Sequence, residues 1–228
     1  MRPDARMIAD HLETFPALDA LQAWVRHAFV RRIPSVDVAF PKAEVLAKLA
    51  PWHAAAVEHL GFPEQALWTA EQVHGANVAS VPREGGQCIP GVDGLMTNEP
   101  GVLLGIHVAD CGAIYIVDPG HQAIALLHSG KNGTAQGIIR RAIAAMESHY
   151  GSRPQDLIVQ LGPCIRVPNY EIDFPAQIHL DALTAGVPSS QYHDCGTCTY
   201  RDPSRYDSYR RDLGKTGRLL ALLGMPGQ

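Results

Sequence analysis

Three short apolar runs in the middle of the chain constrain its fold more than any other feature. They span residues 102–108, 113–117 and 123–127, and brief turns that contain aspartate and glycine separate them. Runs of this length between turn residues are typical of β-strands, and the absence of polar alternation indicates strands covered on both faces. The sequence therefore predicts a sheet that is buried on both sides.

The flanking segments supply helices and further strands. Helical patterns cover residues 16–26, 42–60 and 133–150, and strands are predicted at 27–30, 66–74, 76–81, 156–161 and, as strand or helix, 217–223. Residues 83–91 and 187–205 are predicted to be loops. We predict an α/β fold of the mixed α+β kind, a single-domain sandwich of mixed β-sheet with packed helices. This domain spans residues 27–228 and follows an N-terminal extension or helix, residues 1–26.

The composition excludes several functional classes. With 228 residues, 46% hydrophobic and 18% charged, the chain matches a soluble globular domain. A formal net charge of −4 provides no basic surface for nucleic acid or membrane, and no apolar run reaches transmembrane length. The five cysteines are an odd number and form no disulfide framework. We therefore expect a cytoplasmic protein, a monomer or small homo-oligomer, that binds neither nucleic acid nor membrane.

Three potential metal ligands follow predicted strands, and each has a glycine close by. They are His74 in the segment EQVHG, Cys111 in VADCG and His128 in LLHSG. Two imidazoles and a thiolate would bind zinc with an open fourth position, as in catalytic rather than structural zinc sites. Water in such a position becomes acidic enough to attack an electron-poor carbon, as in the zinc base deaminases.

The same three residues permit two other interpretations. Cys111 is equally suited to act as a nucleophile activated by His128 or His74, with Asp110 nearby, in a metal-free cysteine hydrolase. Cysteine also often lies buried as a small apolar side chain, and the histidines would then be ordinary loop residues. The residue pattern by itself leaves these alternatives open.

The turn at residues 128–134, HSGKNGT, leads from a strand into the clearest helix. The first amide groups of a helix attract anions, small residues let a phosphate approach the backbone, and Lys131 adds a positive charge. Gly130, Lys131 and Gly133 are therefore candidates for binding phosphate or substrate. An ordinary capped helix start explains the pattern equally well.

Two later segments give weaker signals. Cys195 and Cys198 form a lone C-x-x-C pair, which we interpret as two loop cysteines because no second pair follows. Residues 201–212, RDPSRYDSYRRD, are rich in arginine and tyrosine. They are either a solvated surface turn or a flap that closes a pocket over an anionic or aromatic ligand.

In this order, the motifs resemble the YfiH-type family, also called the multicopper polyphenol oxidoreductase or laccase-domain family. The similarity lies in EQVHG at 71–75, VADC at 108–111, HSGKNG at 128–133, LGPCI at 161–165 and SYRRD at 208–212. Five ordered motifs make the resemblance specific. It implies a zinc-dependent enzyme that phosphorolyses adenosine, inosine or methylthioadenosine and deaminates adenosine. It also implies a fold similar to the cytotoxic necrotizing factor-like cysteine hydrolases.

The resemblance also implies roles for particular residues, with a purine nucleoside and phosphate as ligands. Zinc is expected on the three residues named above, which together with Asp110 would be catalytic. Asp110 or Gln72 is expected to orient water or substrate. Arg211 is expected to contact the substrate, and the turn with Lys131 to hold phosphate.

The chain departs from the family pattern at two places. Lys131-Asn132 stands where relatives have Trp-Arg, and a lysine point charge does not replace the bidentate fork of arginine. The region between Tyr170 and Cys198 is interpreted as shorter than in relatives, which carry an extra helical stretch there. A metal-binding protein that recognises a ligand without chemistry is therefore an alternative to the enzyme.

A laccase-like copper oxidase is a further alternative, ranked below zinc chemistry. A multicopper oxidase needs His-x-His pairs around its copper cluster, and none of the eleven histidines forms such a pair. A single blue-copper site would need a weak axial ligand, for which Met96 is the nearest candidate in the sequence.

Overall fold

Two six-stranded mixed sheets form the centre of the structure, a computed structural model that describes residue 3 and residues 5–227. Residues 1, 2 and 4 of the predicted extension, and residue 228, lie outside the described residues. The strands are β1 (Leu12–Glu13), β2 (Arg26–Val30), β3 (Leu67–Ala70), β4 (Val78–Ser80), β5 (Cys88–Ile89), β6 (Gly94–Thr97), β7 (Val102–Val108), β8 (Gly112–Asp118), β9 (Ala123–Ser129), β10 (Ile158–Leu161), β11 (Tyr192–Asp194) and β12 (Leu219–Met225). The helices are α1 (Ala5–Ala9), α2 (Pro16–Asp19), α3 (Lys42–His59), α4 (Lys131–Ala135), α5 (Ile138–Tyr150) and α6 (Phe174–Thr184).

The two sheets have similar compositions of parallel and antiparallel pairs. The strand order is β1-β2-β12-β7-β3-β5 in the first sheet and β11-β10-β8-β9-β6-β4 in the second. Most neighbours are antiparallel, whereas β3 runs parallel to β5 and β7, β4 to β6, and β10 to β11. The three apolar runs found in the sequence are β7, β8 and β9, so they are divided between the two sheets.

Side chains alternate between a core shared by the sheets and two outer layers. In β12, Leu219 and Leu223 face the shared core, whereas Leu220 and Leu222 face the outer layer. That outer layer is closed by α1 and α3, and the outer face of the second sheet is closed by α5 and α6. Every residue of β8 and β9 is buried. The prediction of a mixed sandwich whose central strands are covered on both faces is confirmed.

Several element boundaries differ from the predicted ones for local reasons. The helix expected over 16–26 is only α2, because the chain turns after one helical turn to enter β2 at Arg26. The strand expected over 66–74 ends at Ala70, since the residues beyond it leave extended geometry. The helix expected over 133–150 is split at Gly137, which has φ of 72°. The segment 217–223 contains the start of β12, which begins at Leu219.

Two segments that gave little signal are ordered parts of the domain. Helix α6 lies in the region between Tyr170 and Cys198 and begins after Asp173, whose side chain accepts a hydrogen bond from the amide of residue 176 at 3.2 Å. Near the N-terminus, β1 pairs with β2, and Phe15 packs in the shared core with its ring centroid 5.4 Å from that of Tyr115. Among the described residues, no helix is both long and apolar enough to cross a membrane.

Candidate metal centre

His74, Cys111 and His128 meet at the border of one cavity, and we call them the trio. Their ligand atoms all lie within 4.8 Å of one another. The two imidazole rings stand almost at right angles, 82°, with centroids 4.9 Å apart. His128 is buried, Cys111 is half-buried and His74 is exposed to the cavity side. The structure therefore brings together three residues that are far apart in sequence, as a three-coordinate metal site requires.

The backbone around the trio is held in unusual conformations. Gln72, His74 and Asp110 all have positive φ, at 64°, 61° and 87°. Such left-handed conformations cost a non-glycine residue about 1–3 kcal/mol each and are concentrated at functional sites. They persist because the side chains of Gln72 and Asp110 are bound to neighbouring segments, and the amide of His74 is bound to Asp93.

Asp93 organises the trio, although the sequence analysis does not identify it. It is fully buried and accepts hydrogen bonds from the backbone amides of residues 73–75, at 3.1, 2.9 and 2.7 Å. Its carboxylate also binds Nδ1 of His128 at 2.7 Å. Nδ1 is thereby occupied, and Nε2 of His128 is left to act as the ligand atom. Burial acts to raise the pKa of Asp93, but the hydrogen bonds from His128 and the amides outweigh it and lower the pKa.

The charges of the trio are coupled in the absence of metal. Burial acts to raise the pKa of the Cys111 thiol, but hydrogen bonds from His128 and His74 outweigh it and lower the pKa to about 6. Burial acts to lower the pKa of His128, but Asp93 and Cys111 outweigh it and raise the pKa to about 9. The metal-free site therefore holds a thiolate beside an imidazolium at neutral pH.

We expect Cys111 in metal-free protein to be alkylated by iodoacetamide with a half-maximal rate near pH 6, because the thiolate is the reactive form. The rate is measured by mass spectrometry from about pH 5 to about pH 9, with the exposed Cys88 as internal comparison. Added zinc should block the reaction. A rate for Cys111 that rises only near pH ~8.5, as for an ordinary thiol, would contradict the coupling.

Gly130 is needed for the close approach of two chain segments at the trio. A Cβ atom at this position would lie 2.5 Å from Sγ of Cys111, which is closer than van der Waals contact permits. Gly130 and Lys131, two of the residues expected to bind substrate, border the cavity. Gly133 does not border it; a Cβ there would lie 3.0 Å from the carbonyl oxygen of Gly75, so this glycine packs against the loop of His74.

The cavity beside the trio has a volume of about 600 Å³. This is within the range of about 300–1,000 Å³ that is usual for small-molecule sites. The side chains of Ile165, Tyr170, Phe174 and Tyr209 supply an apolar, aromatic wall. The other lining residues are mainly polar: Lys42, Gln72, His107, Asp110, Lys131, Arg210 and Arg218, with Ala109, Gly130, Leu213 and the trio itself.

Gln72 and Asp110 border the cavity, but their polar atoms are used within the protein. The Gln72 amide exchanges two hydrogen bonds with the backbone of His107, at 2.6 and 2.9 Å. The Asp110 carboxylate accepts hydrogen bonds from the hydroxyls of Thr199 and Ser208, at 2.7 and 3.0 Å, and from the amide of residue 210 at 2.7 Å. These contacts fasten the strained loops rather than present free groups to a substrate.

Arg211, the residue expected to contact the substrate, is held by other parts of the chain. Its guanidinium donates to three backbone carbonyls, those of residues 199, 200 and 206, and to the carboxylate of Asp212. It does not border the cavity, whereas its neighbour Arg210 does. Arg210 pairs with Glu171 at 2.7 Å and lies over the ring of Tyr170, 4.9 Å from its centroid. Adjacent arginines in an irregular segment point in different directions, which no periodic pattern reveals.

Two other features of the sequence, Met96 and the C-x-x-C pair, take no part in the trio. Met96, the candidate axial copper ligand, is 1% exposed and packs in the core beside α5. All five cysteines are free thiols, and the backbone of Cys198 forms an isolated parallel bridge with that of Cys164. The C-x-x-C pair is therefore a loop next to the second sheet, and Met96 offers no ligand to the trio.

Comparison with known proteins identifies the family. The sequence profile of the family described as multi-copper polyphenol oxidoreductase laccase matches residues 34–177 and 169–226. The chain is 35% identical to the purine nucleoside phosphorylase YlmD of Geobacillus stearothermophilus, over 73% of this chain and 75% of that protein. It is 32% identical to a purine nucleoside phosphorylase of Deinococcus radiodurans, over 92% and 93% of the two chains.

Solved structures agree with the sequence comparison. The crystal structure of YlmD from Geobacillus stearothermophilus superposes with a TM-score of 0.81 at 27% identity, covering 93% of this chain and 94% of that one. The Bacillus licheniformis protein YfiH shares the fold, with a TM-score of 0.75 at 22% identity, over 88% and 92% of the chains. The trio, its cavity and the profile match over most of the chain lead to one conclusion: this chain belongs to the multi-copper polyphenol oxidoreductase laccase, or YfiH-type, family.

Proposed function

We propose that this chain is a zinc-dependent purine nucleoside phosphorylase that acts on adenosine, inosine or methylthioadenosine. The observation that carries the proposal is the trio at the border of a cavity large enough for a nucleoside. The relatives that this chain matches over most of their length are named purine nucleoside phosphorylases, and these names supply the reaction class. In that reaction the bond between C1′ and the base nitrogen breaks, a bond between C1′ and a phosphate oxygen forms, and the base leaves with a proton.

The donor set of the trio supports zinc as the metal. Two imidazole nitrogens and one thiolate sulfur are ligands that zinc accepts, and the lowered pKa of Cys111 favours the thiolate that metal binding requires. Asp93 fixes the ring orientation of His128, as outer partners of metal-ligating histidines do. When bound, zinc would supply Lewis acidity at its open coordination position. Copper is less favoured because Met96 lies in the core.

The aromatic wall supports a purine as the substrate base. Tyr170, Phe174 and Tyr209 border the cavity, and a flat heteroaromatic base packs well against such rings. Gln72 and Asp110 act as positioning residues, because they fasten the loops that carry His74 and Cys111. Arg210 borders the cavity and is our candidate, in place of Arg211, for contact with the substrate.

A metal-free cysteine hydrolase is the second candidate. It is favoured by one observation, the thiol of Cys111 with a pKa lowered to about 6 between two imidazoles. The two candidates differ in their response to metal. Zinc would occupy the thiolate and inhibit a cysteine hydrolase, whereas a zinc enzyme loses activity on chelation and regains it when zinc returns.

The test is chromatography of adenosine, and in parallel of inosine and methylthioadenosine, each incubated with zinc-loaded protein, with and without phosphate. Adenine released only when phosphate is present supports phosphorolysis, and inosine in either case reveals deamination at the same centre. Chelated protein and zinc-restored protein are run in parallel, so activity that survives chelation favours the hydrolase. If zinc-loaded protein converts none of the three nucleosides, the phosphorylase proposal fails and a binding protein takes its place.

A further inference from the structure

A second group of polar side chains, separate from the trio, borders the same cavity. Lys42 is the first residue of α3, His107 is the penultimate residue of β7, and Arg218 directly precedes β12. Strands β7 and β12 are neighbours, with His107 opposite Leu220, and this face of both strands packs against the layer that contains α3. The fold thus gathers Lys42, His107 and Arg218 on one side of the cavity, and we call them the cationic wall.

Both cations of the cationic wall are without a paired carboxylate among the described residues. In the part of the chain that the structure describes, neither Lys42 nor Arg218 forms an ion pair with a carboxylate. Arg218 donates to the carbonyls of residues 216 and 217, at 3.2 and 2.8 Å, through one nitrogen, Nη1. By contrast, Arg210 at the same cavity is paired with Glu171 at 2.7 Å. Partial burial of a guanidinium without a paired carboxylate costs free energy unless an anion binds to it.

The surroundings of Arg218 agree with this charge surplus. Burial lowers the pKa of Arg218, and the carboxylate of Asp207 acts in the opposite direction. Asp207 also pairs with Arg32 at 3.8 Å, so its charge is shared between the two arginines. The second guanidinium nitrogen of Arg218, Nη2, forms no hydrogen bond with the described residues, which leaves it available to a ligand in the cavity.

His107 adds a neutral hydrogen-bond donor to the two cations. Burial, followed by the charges of His53, Lys42 and Arg218, lowers its pKa to about 3. His107 lies opposite Leu220, two residues beyond Arg218, and all three side chains border the same cavity. The ring centroids of His107 and His53 are 5.3 Å apart, and the buried Nε2 of His53 has no hydrogen-bond partner. A neutral imidazole has one N–H group, which can donate a hydrogen bond to an anion.

We propose that Lys42, His107 and Arg218 form a phosphate-binding subsite of the cavity. The ligand is a phosphate oxyanion, either inorganic phosphate or a phosphate group carried by the nucleoside. Two cations match the charge of about −1.5 to −2 that a phosphate monoester carries near neutral pH, and guanidinium binds such oxygens in a bidentate manner. The choice of phosphate over other anions rests on the proposed function. The subsite places phosphate at the cationic wall rather than at the 128–134 turn.

The test is calorimetric titration of zinc-loaded protein with inorganic phosphate and, separately, with adenosine 5′-monophosphate. Lys42→Gln and Arg218→Gln each remove one charge-assisted contact, and we expect each to weaken phosphate binding by at least about tenfold. Arg218→Lys keeps the charge but loses the bidentate guanidinium, so it should weaken phosphate binding less than Arg218→Gln. Lys215→Gln is the matched control, because Lys215 is exposed and does not border the cavity. Lys42 is itself exposed, so its replacement does not threaten folding.

The outcomes separate the two sources of phosphate and the two proposals. Weakened binding of inorganic phosphate supports the subsite with free phosphate as its ligand, and weakening confined to the monophosphate supports a nucleoside-borne group. Lys131→Gln is measured alongside these variants. Unchanged binding of both ligands in the Lys42 and Arg218 variants, or weakening in Lys131→Gln alone, overturns the subsite. Binding is measured without turnover. If the subsite binds phosphate but the protein cleaves no nucleoside, only the proposed function is refuted. Unchanged phosphate binding in variants of a protein that cleaves nucleosides would refute only the subsite.

Discussion

Replacement of Cys111 with alanine is expected to abolish zinc binding and nucleoside cleavage together. Cys111 supplies the sulfur of the trio, whose ligand atoms lie within 4.8 Å of one another. Loss of an outer partner of a metal ligand already costs about 10–100-fold in affinity, so removal of a ligand should cost more than about 100-fold. Zinc affinity is measured by competition with a chromophoric chelator, and activity by base release under saturating phosphate.

Two companion variants make this result interpretable. Cys111→Asp replaces the thiolate by a carboxylate, which zinc accepts but which cannot act as a thiol nucleophile. We expect it to retain measurable zinc binding, with activity following metal occupancy. Cys88→Ala, at an exposed cysteine of β5, should leave both properties unchanged. Tight zinc binding by Cys111→Ala would show that the trio is not the metal site, and hydrolysis lost in both Cys111 variants despite bound zinc would favour the cysteine nucleophile.

The sequence predicted those parts of the protein that depend on local patterns. The buried runs that became β7, β8 and β9 are recognisable because uninterrupted apolar residues of strand length belong to sheets covered on both faces. His74, Cys111 and His128 were identifiable because each lies at or shortly after the end of an apolar run and belongs to an ordered family motif. In both cases the relevant information lies within a few consecutive residues.

The remainder of the site depends on contacts between distant segments. Asp93 is separated from His128 by 35 residues, and in the sequence it is only an acidic residue before a short apolar run. The cationic wall joins α3 to the ends of β7 and β12, which become neighbours only when the first sheet forms. The orientation of Arg210 toward the cavity and Arg211 away from it follows from hydrogen bonds in an irregular segment. No periodic pattern encodes these features.

Asp93→Asn should weaken both the metal site and the fold. The carboxylate accepts three amide hydrogen bonds and one from Nδ1 of His128. An asparagine has one acceptor oxygen, and its NH₂ group would face donors that remain buried, so we expect a loss of about 3 kcal/mol in the free energy of unfolding. Zinc affinity should fall about 10–100-fold, because His128 loses the partner that orients its ring. Denaturant titration and chelator competition measure the two effects.

The pH dependence follows from the direction of the two pKa shifts. The pKa of Asp93 is lowered in the folded protein, so its contribution is complete above the unfolded value of about 3.9 and is lost as the pH falls through the folded value. The pKa of His128 is raised to about 9, so its contribution is complete below about 6.5 and is lost as the pH rises through about 9. In metal-free protein, the difference between wild type and Asp93→Asn should therefore be largest between about pH 4 and about pH 6.5.

Asp118→Asn separates the role of Asp93 at the metal from its role in the fold. Asp118 is also fully buried, accepts hydrogen bonds from the amides of Gly120 and His121 at 2.9 and 3.2 Å, and binds Nδ1 of His121 at 2.8 Å. It therefore repeats the arrangement of carboxylate, amides and imidazole away from the trio. We expect Asp118→Asn to be destabilised to a similar degree but to bind zinc with wild-type affinity. Equal zinc affinity in the two variants would mean that Asp93 holds the fold without tuning the metal ligand.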